Sequence, residues 1–133
     1  MESPKYLSHQ PIISVDDYDK IDALYANHTD VKALSIGKAQ YDENQISLKV
    51  WRHTGEKWSR QSEELPIHRN LDLSILFLAA LSTDVTAHYP KSILRERIEN
   101  PDEVQKIKDY YEQNKQFIEP RLNELKRLLN EIV

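Results

Sequence analysis

The sequence contains no cysteine, only two glycines, and no apolar run long enough to cross a membrane. Without cysteine it has no disulfides, no thiolate nucleophiles and no cysteine-ligated metal sites. Gly37 and Gly55 alone cannot form a glycine-rich phosphate loop or a nucleophile elbow. The longest mainly apolar run, Leu71 to Leu81, has 11 residues, whereas a membrane helix needs about 20. We therefore expect a cytoplasmic protein with no membrane anchor, and no motif predicts a cofactor.

The composition predicts one domain with a heavily charged exterior. The chain has 133 residues, of which 30% are charged and 39% hydrophobic, and its formal net charge is −4. This length is enough to bury a core without covalent staples. The acidic balance gives no general attraction to nucleic acid or to an anionic membrane, so we expect neither as a partner.

The N-terminal quarter predicts an extended arm followed by a helix. Pro4 and Pro11 disfavour helix, so residues 1–13 should form the arm. Ser14 is placed to cap a helix over about residues 15–26, because apolar residues then recur at helical spacing.

Alternating apolar residues next predict a β-hairpin over about residues 33–53. Ile46, Leu48 and Val50 alternate with polar residues, which is the period of a strand with one face in the core. A hairpin alone is barely stable, so a third strand, near 57–60, or a helix must cover it.

The second half of the chain predicts helices. A central helix over about residues 66–82 is apolar around most of its circumference and should be largely buried. Asn100 and Pro101 then form a start signal, and we expect C-terminal helices over about residues 92–132. The predicted fold is therefore α+β: a small antiparallel sheet of two or three strands packed against a buried central helix and the C-terminal helices.

The stretch from Trp51 to Arg69 gathers the side chains best suited to binding. Its candidate site residues are Trp51, Arg52, His53, Lys57, Trp58, Arg60, Glu63, Glu64, His68 and Arg69. The basic members can pair with phosphate or carboxylate groups, and the indole rings can stack on a ligand ring. This pattern predicts a surface that binds an anion or a nucleotide.

Two other interpretations of the same stretch stay open. Four residues offer ligands for a divalent metal or an acid–base pair: His53, Glu63, Glu64 and His68. Pro66 lies between Glu64 and His68 and disturbs the helical spacing that such a site needs. In the structural interpretation, the charged groups form a network that ties the sheet to the central helix.

Two segments resemble a known family. KVWRHTGEKWSRQSEELPIHRNLDLSILF resembles a family of small uncharacterised bacterial proteins of unknown function, and VDDYDKIDALYANHTDVKALSIGKAQ is similar to the N-terminal half of the same family. The resemblance covers roughly residues 10–80. It implies a bacterial cytosolic protein, and it supplies no activity and no catalytic residue.

We therefore expect a non-enzymatic binding or regulatory module that uses the surface of residues 51–69. Its partner would be a protein or a small anionic ligand. The alternative is a small enzyme that performs metal-assisted hydrolysis or acid–base catalysis. The apolar repeat of the C-terminal helix also predicts a homodimer through that helix.

Overall fold

The computed structural model describes residues 1–4, 9–87 and 89–133. The chain divides into two compact units, Met1–Leu71 and Asp72–Val133. An antiparallel sheet together with three α-helices confirms the α+β class. One domain over residues 1–133 stays a prediction. Among the described residues, no helix combines the length and the apolar character that crossing a membrane requires.

The first unit is built on an antiparallel sheet of four strands. They are β1 (Gln10–Asp16), β2 (Val31–Lys38), β3 (Ile46–Arg52) and β4 (Glu63–Pro66), in the order β1-β2-β3-β4. β2 and β3 confirm the predicted hairpin over residues 33–53. The expectation of two or three strands was wrong, because β1 and β4 were missed. Near 57–60, where a third strand was expected, the structure has a single bridge between His53 and Trp58.

The helix expected over residues 15–26 is wrong. The chain is a strand as far as Asp16 and then makes two 3-10 turns, Tyr18–Lys20 and Ala23–Tyr25. Asp17 and Ala23 have left-handed backbone, with φ of 55° and 50°, which a continuous right-handed helix does not allow. Residues 10–13 of the expected arm are extended and form the first part of β1, while residues 5–8 of that arm lie outside the described residues.

A bulge in β1 explains why the second strand needs Gly37. The register between β1 and β2 shifts between Pro11 and Ile13, so the two backbones approach closely there. A Cβ atom on Gly37 would collide with the backbone carbonyl of Gln10. The glycine therefore permits the pairing that attaches β1 to the hairpin.

The two faces of the sheet differ in composition. Directly paired residues of antiparallel strands point to the same side, which assigns each side chain to a face. The serine face includes Ser14, Ala33, Ser35, Gly37, Ser47, Lys49, Trp51 and Glu64. The aliphatic face includes Ile13, Val15, Leu34, Ile36, Ile46, Leu48, Val50 and Leu65.

The serine face is the more deeply buried of the two. Ala33, Ser47 and Trp51 are at most 1% exposed, and Ser35 is 6% exposed. Leu48 and Val50, which were expected to face the core, are only partly buried, and Ile46 is 39% exposed. The expectation that the aliphatic side forms the core was therefore wrong.

The predicted central helix exists as α1 (Ile67–Leu81). Its burial was predicted wrongly: of its residues, all of which the structure describes, only Ala79 is buried. Leu71, Leu73, Leu76 and Leu78 are 43–54% exposed. An apolar circumference indicates that a helix can be buried, but burial requires neighbours on every side.

The C-terminal helices are shorter than expected. Asn100 accepts a hydrogen bond from the backbone N–H of Asp102 and caps a 3-10 turn at Pro101–Glu103, which leads into α2 (Val104–Gln113). After a break at Asn114, α3 (Lys115–Ile132) runs to the end of the chain. Residues 92–99, included in the helical prediction, form turns and irregular backbone.

Candidate functional site

The ten predicted site residues do not form one site. Trp51, His53, Trp58 and Glu64 lie on or beside the serine face, whereas Arg52 and Glu63 lie on the opposite side. The other four are exposed or partly exposed, in the loop before β4 or at the start of α1: Lys57, Arg60, His68 and Arg69. The alternation of β3 and β4 causes this division, because neighbouring residues of a strand point to opposite faces.

A buried hydrogen-bonded network occupies the serine face, centred on His9, which has no exposed surface. Its Nδ1 lies 2.8 Å from Ser47 Oγ, and its Nε2 lies 2.9 Å from Ser35 Oγ. The indole N–H of Trp51 donates to Ser35 Oγ at 2.8 Å, and Ser47 Oγ donates to Glu64 Oε2 at 2.9 Å. The network thus joins β2, β3 and β4 to the residue that precedes β1.

Donor and acceptor chemistry gives this network one direction. The indole N–H can only donate and the carboxylate can only accept, so each end of the chain of hydrogen bonds is fixed. Ser47 donates its hydrogen to Glu64 and must therefore accept from Nδ1–H of His9. Ser35 accepts from Trp51, which leaves its own hydroxyl hydrogen available to Nε2. The chain of hydrogen bonds therefore places a hydrogen on Nδ1 of His9 and accommodates a neutral imidazole at Nε2.

The electrostatics of the serine face agree with a neutral imidazole. Burial lowers the pKa of His9, Glu64 partly opposes this effect, and the Lys49 ammonium lowers the pKa further. Burial also lowers the pKa of Lys49, against the opposing charge of Glu64. Lys49 Nζ lies 4.2 Å from the centroid of a Trp51 ring and 3.9 Å from Glu64 Oε1.

Aromatic packing completes the serine face. Trp51 makes edge contacts with His9 and with Trp58, at 5.7 Å between ring centroids in both cases. Trp58 in turn contacts His53 at 5.0 Å. The indole rings thus contact each other and the imidazoles, and Trp51 has 1% of its surface exposed. A ligand cannot stack on Trp51 without displacing this packing.

Arg52 is engaged by two carboxylates. Its Nη1 donates to Asp30 at 2.7 Å, while its Nε and Nη2 donate to Glu63 at 2.9–3.2 Å. These hydrogen bonds, to Glu63 first and to Asp30 second, raise the pKa of Arg52. All three guanidinium nitrogens are therefore used, which disfavours the predicted role of Arg52 as a receptor for an external anion.

The predicted metal or acid–base group does not converge. Glu63 and Glu64 are adjacent in β4 and point to opposite faces, while His68 is exposed on α1. The Nδ1 atom of His53 accepts a hydrogen bond from the backbone of Gly55. Within residues 1–4, 9–87 and 89–133, no three histidine or acidic side chains are arranged to hold a metal ion.

The aliphatic face carries an open groove and a larger cavity beside it. The groove has a volume of about 330 Å³ and lies over most of the aliphatic face. The cavity has a volume of about 690 Å³; we call it the tyrosine cavity, and it is lined by Tyr18, Asp22, Tyr25, His28, Thr29, Asp30, Val31, Leu34, Val50, Arg52 and Glu63. Leu34, Val50 and Glu63 line both, so the two depressions are continuous.

Sequence reasoning missed the residues that organise both faces. His9, Ser35 and Ser47 carry no motif, and Tyr18 and Tyr25 were assigned to a helix. One signal was available: Ala33, Ser35 and Gly37 alternate along β2, and small residues on one face leave room for large side chains to pack against the backbone. Such a stripe favours burial of that face even when it is polar.

Comparison with known proteins gives a family but no activity. A family model described as a family of unknown function, DUF6530, matches residues 1–92. The match confirms the resemblance to an uncharacterised family. No curated protein and no solved structure matches the chain.

Proposed function

The chain belongs to DUF6530, a family of unknown function, and we propose that it is a non-enzymatic binding module. In this proposal, an amphipathic helix of a partner protein lies on the aliphatic face of the four-stranded sheet. We keep the bacterial cytoplasm as the setting of the proposal. The binding surface differs from the one expected around residues 51–69, of which Arg52 and Glu63 border it.

The observation that carries this proposal is the open aliphatic face. An antiparallel sheet ordinarily buries its apolar side and exposes its polar side. Here Ile13 is 68% exposed and Val15 is 44% exposed, while Ser35, Ser47 and Trp51 of the serine face are at most 6% exposed. Exposed apolar residues that form a connected patch mark a site of interaction.

The dimensions of the aliphatic face favour a helix as the occupant. Strands of seven residues, such as β1 and β3, span about 23 Å, and a helix of about 15 residues has the same length. Such a helix presents apolar residues at positions i, i+3, i+4 and i+7 to a groove. A partner of this kind buries its apolar stripe and the aliphatic face together.

Charge favours a different protein over a second copy of this chain. Asp30 and Glu63 border the surface, and the chain has a formal net charge of −4. Two identical acidic surfaces repel when they are placed face to face. The partner helix should therefore be basic as well as amphipathic. The small anionic ligand has weaker support, because Arg52 is already paired; the homodimer through the C-terminal helix stays a separate proposal.

Selection of peptides tests the proposal and reveals the sequence pattern of the partner at the same time. A phage-displayed library of random 16-residue peptides is selected on the full chain, and affinities are measured for the chain and for two variants. Val15→Asp places a charge in the groove. Ile12→Asp is the matched control, because Ile12 is 62% exposed but does not line the groove.

We expect enriched peptides with helical apolar spacing and basic residues. Val15→Asp should weaken their binding by at least about tenfold, and Ile12→Asp should change it less than about twofold. Both variants should keep the circular dichroism spectrum of the original chain. Peptides with strictly alternating apolar residues would show that a strand is bound instead, and equal effects of the two variants would reject the aliphatic face as the site.

A further inference from the structure

We infer that the tyrosine cavity receives an arginine side chain of the bound partner segment. This inference rests on the proposed function, because the cavity adjoins the aliphatic face on which that segment would lie. It adds the chemical class of the group that is recognised: a guanidinium carried on an aliphatic stem.

The walls of the cavity suit such a side chain. Val31, Leu34 and Val50 provide an apolar floor, against which the methylene groups of an arginine can pack. Tyr18 and Tyr25 provide phenol rings, and Tyr25 is 56% exposed. A planar guanidinium stacks on an aromatic ring and is more weakly hydrated than an ammonium, which favours arginine over lysine here.

The charge inside the cavity favours a cation. With His28 taken as neutral, the lining carries three carboxylates, from Asp22, Asp30 and Glu63, and one guanidinium, from Arg52, which leaves two negative charges. Asp30 and Glu63 are paired with Arg52. Asp22 differs from them: its carboxylate has no hydrogen bond or ion pair to any residue that the structure describes. A guanidinium from outside can pair with it through two parallel hydrogen bonds.

The tyrosine cavity adjoins the surface on which the partner helix would lie. Leu34, Val50 and Glu63 line both the cavity and the groove on the aliphatic face. A helix on that face can therefore place one long side chain in the cavity while its apolar stripe remains on the sheet. Recognition would then combine apolar burial, which provides area, with one charged group, which fixes the orientation of the helix.

Two small amides of nearly equal shape test the inference directly. L-argininamide and L-citrullinamide share the α-ammonium group and the aliphatic stem, but only argininamide carries a guanidinium. Each is titrated into the full, uniformly ¹⁵N-labelled chain, and the amide signals of Thr29, Asp30 and Val31 at the cavity are followed by NMR. L-lysinamide is titrated in the same way to test whether a primary ammonium binds in place of a guanidinium.

We expect argininamide to shift these signals in a saturable way at millimolar concentration, and citrullinamide to leave them unchanged. Asp22→Asn should weaken the response to argininamide at least threefold. Asp42→Asn, which removes the same charge in the turn between β2 and β3, should not change it. Equal responses to argininamide and citrullinamide, tighter binding of lysinamide, or a response insensitive to Asp22→Asn would overturn the inference.

The two proposals can fail separately. If library peptides bind in a manner that depends on Val15 but argininamide shows no effect, the aliphatic face is a binding surface and the arginine inference is wrong. If argininamide binds through Asp22 while no peptide depends on Val15, the cavity recognises a guanidinium and the helix proposal is wrong.

Discussion

The serine face and the aliphatic face belong to the same four-stranded sheet, yet burial follows neither hydrophobicity nor strand propensity. The region of the serine face that contacts His9 through three polar or charged groups is closed, while the side with eight aliphatic residues is open. The difference shows that a polar surface can be buried when each donor and acceptor has a partner. Among the described residues, every buried side-chain nitrogen or oxygen has a hydrogen-bond partner.

The two faces also differ in what they leave available for binding. The polar groups of the serine face bond to one another, so this face contributes stability and offers no chemistry to a ligand. The aliphatic face has surface that the first unit does not bury, with an acidic cavity beside it. Changes on the serine face should therefore reduce stability, and changes on the aliphatic face should reduce binding alone.

Trp51→Ala should have the largest effect on stability. The side chain is 1% exposed, donates to Ser35 and contacts His9, so its removal leaves a large cavity and takes one of two hydrogen bonds from the Ser35 hydroxyl. We expect a loss of about 3–5 kcal/mol in the free energy of unfolding, measured by urea unfolding with circular dichroism. Trp58→Ala, at a partly buried position, should cost less. Equal losses would mean that the buried network is not the core of this unit.

Ser47→Ala should have the next largest effect, because Ser47 stands between His9 and Glu64. Its removal leaves the Nδ1–H of His9 without an acceptor in a site that excludes water. We expect a loss of about 1–3 kcal/mol in the same urea experiment. Ser14→Ala is the matched control, because Ser14 is exposed on the edge strand β1 and should change stability by less than about 0.5 kcal/mol.

The elements with strong local signals were predictable from the sequence. The hairpin of β2 and β3 follows from alternation in its strands and the polar turn between them, and α1 follows from Pro66 and a mainly apolar run. Asn100 and Pro101 marked the start of the C-terminal helical region. In each case the cause lies within a few residues of the element, which is the range over which propensity and capping act.

The predictions that were wrong concern features that depend on residues distant in the chain. The alternation of the sequence predicts that Leu48 and Ser47 lie on opposite faces, but it does not determine which face is buried. That outcome depends on His9, which lies 38 residues from Ser47 and contacts it directly. The helix expected over residues 15–26 failed because pairing of β1 with β2 overrides a capping signal of about 1 kcal/mol. The tyrosine cavity arises from the same misassigned segment.

The pH dependence of stability tests whether the buried network of the serine face requires a neutral His9. Its pKa is lowered from the ordinary value of 6.5, mainly by burial, so the unfolded chain takes up the proton more readily than the folded one. The free energy of unfolding should therefore fall as the pH drops below about 6.5, by at most about 1.4 kcal/mol per pH unit for one proton. His9→Gln removes this titration, so its stability should fall less steeply over that range. Parallel pH profiles for the two proteins would contradict a neutral His9.

The smallest expected effect on stability is at Ile13, on the aliphatic face. Ile13→Ser removes an apolar side chain that is 68% exposed, so it should change the free energy of unfolding by less than about 0.5 kcal/mol. The matched change Val31→Ser, in β2 at a position 5% exposed, should cost several times more. Both are measured by urea unfolding of the full chain. If Ile13→Ser costs as much as Val31→Ser, the aliphatic face contributes to the folded core in solution, and it is then not free to receive a partner.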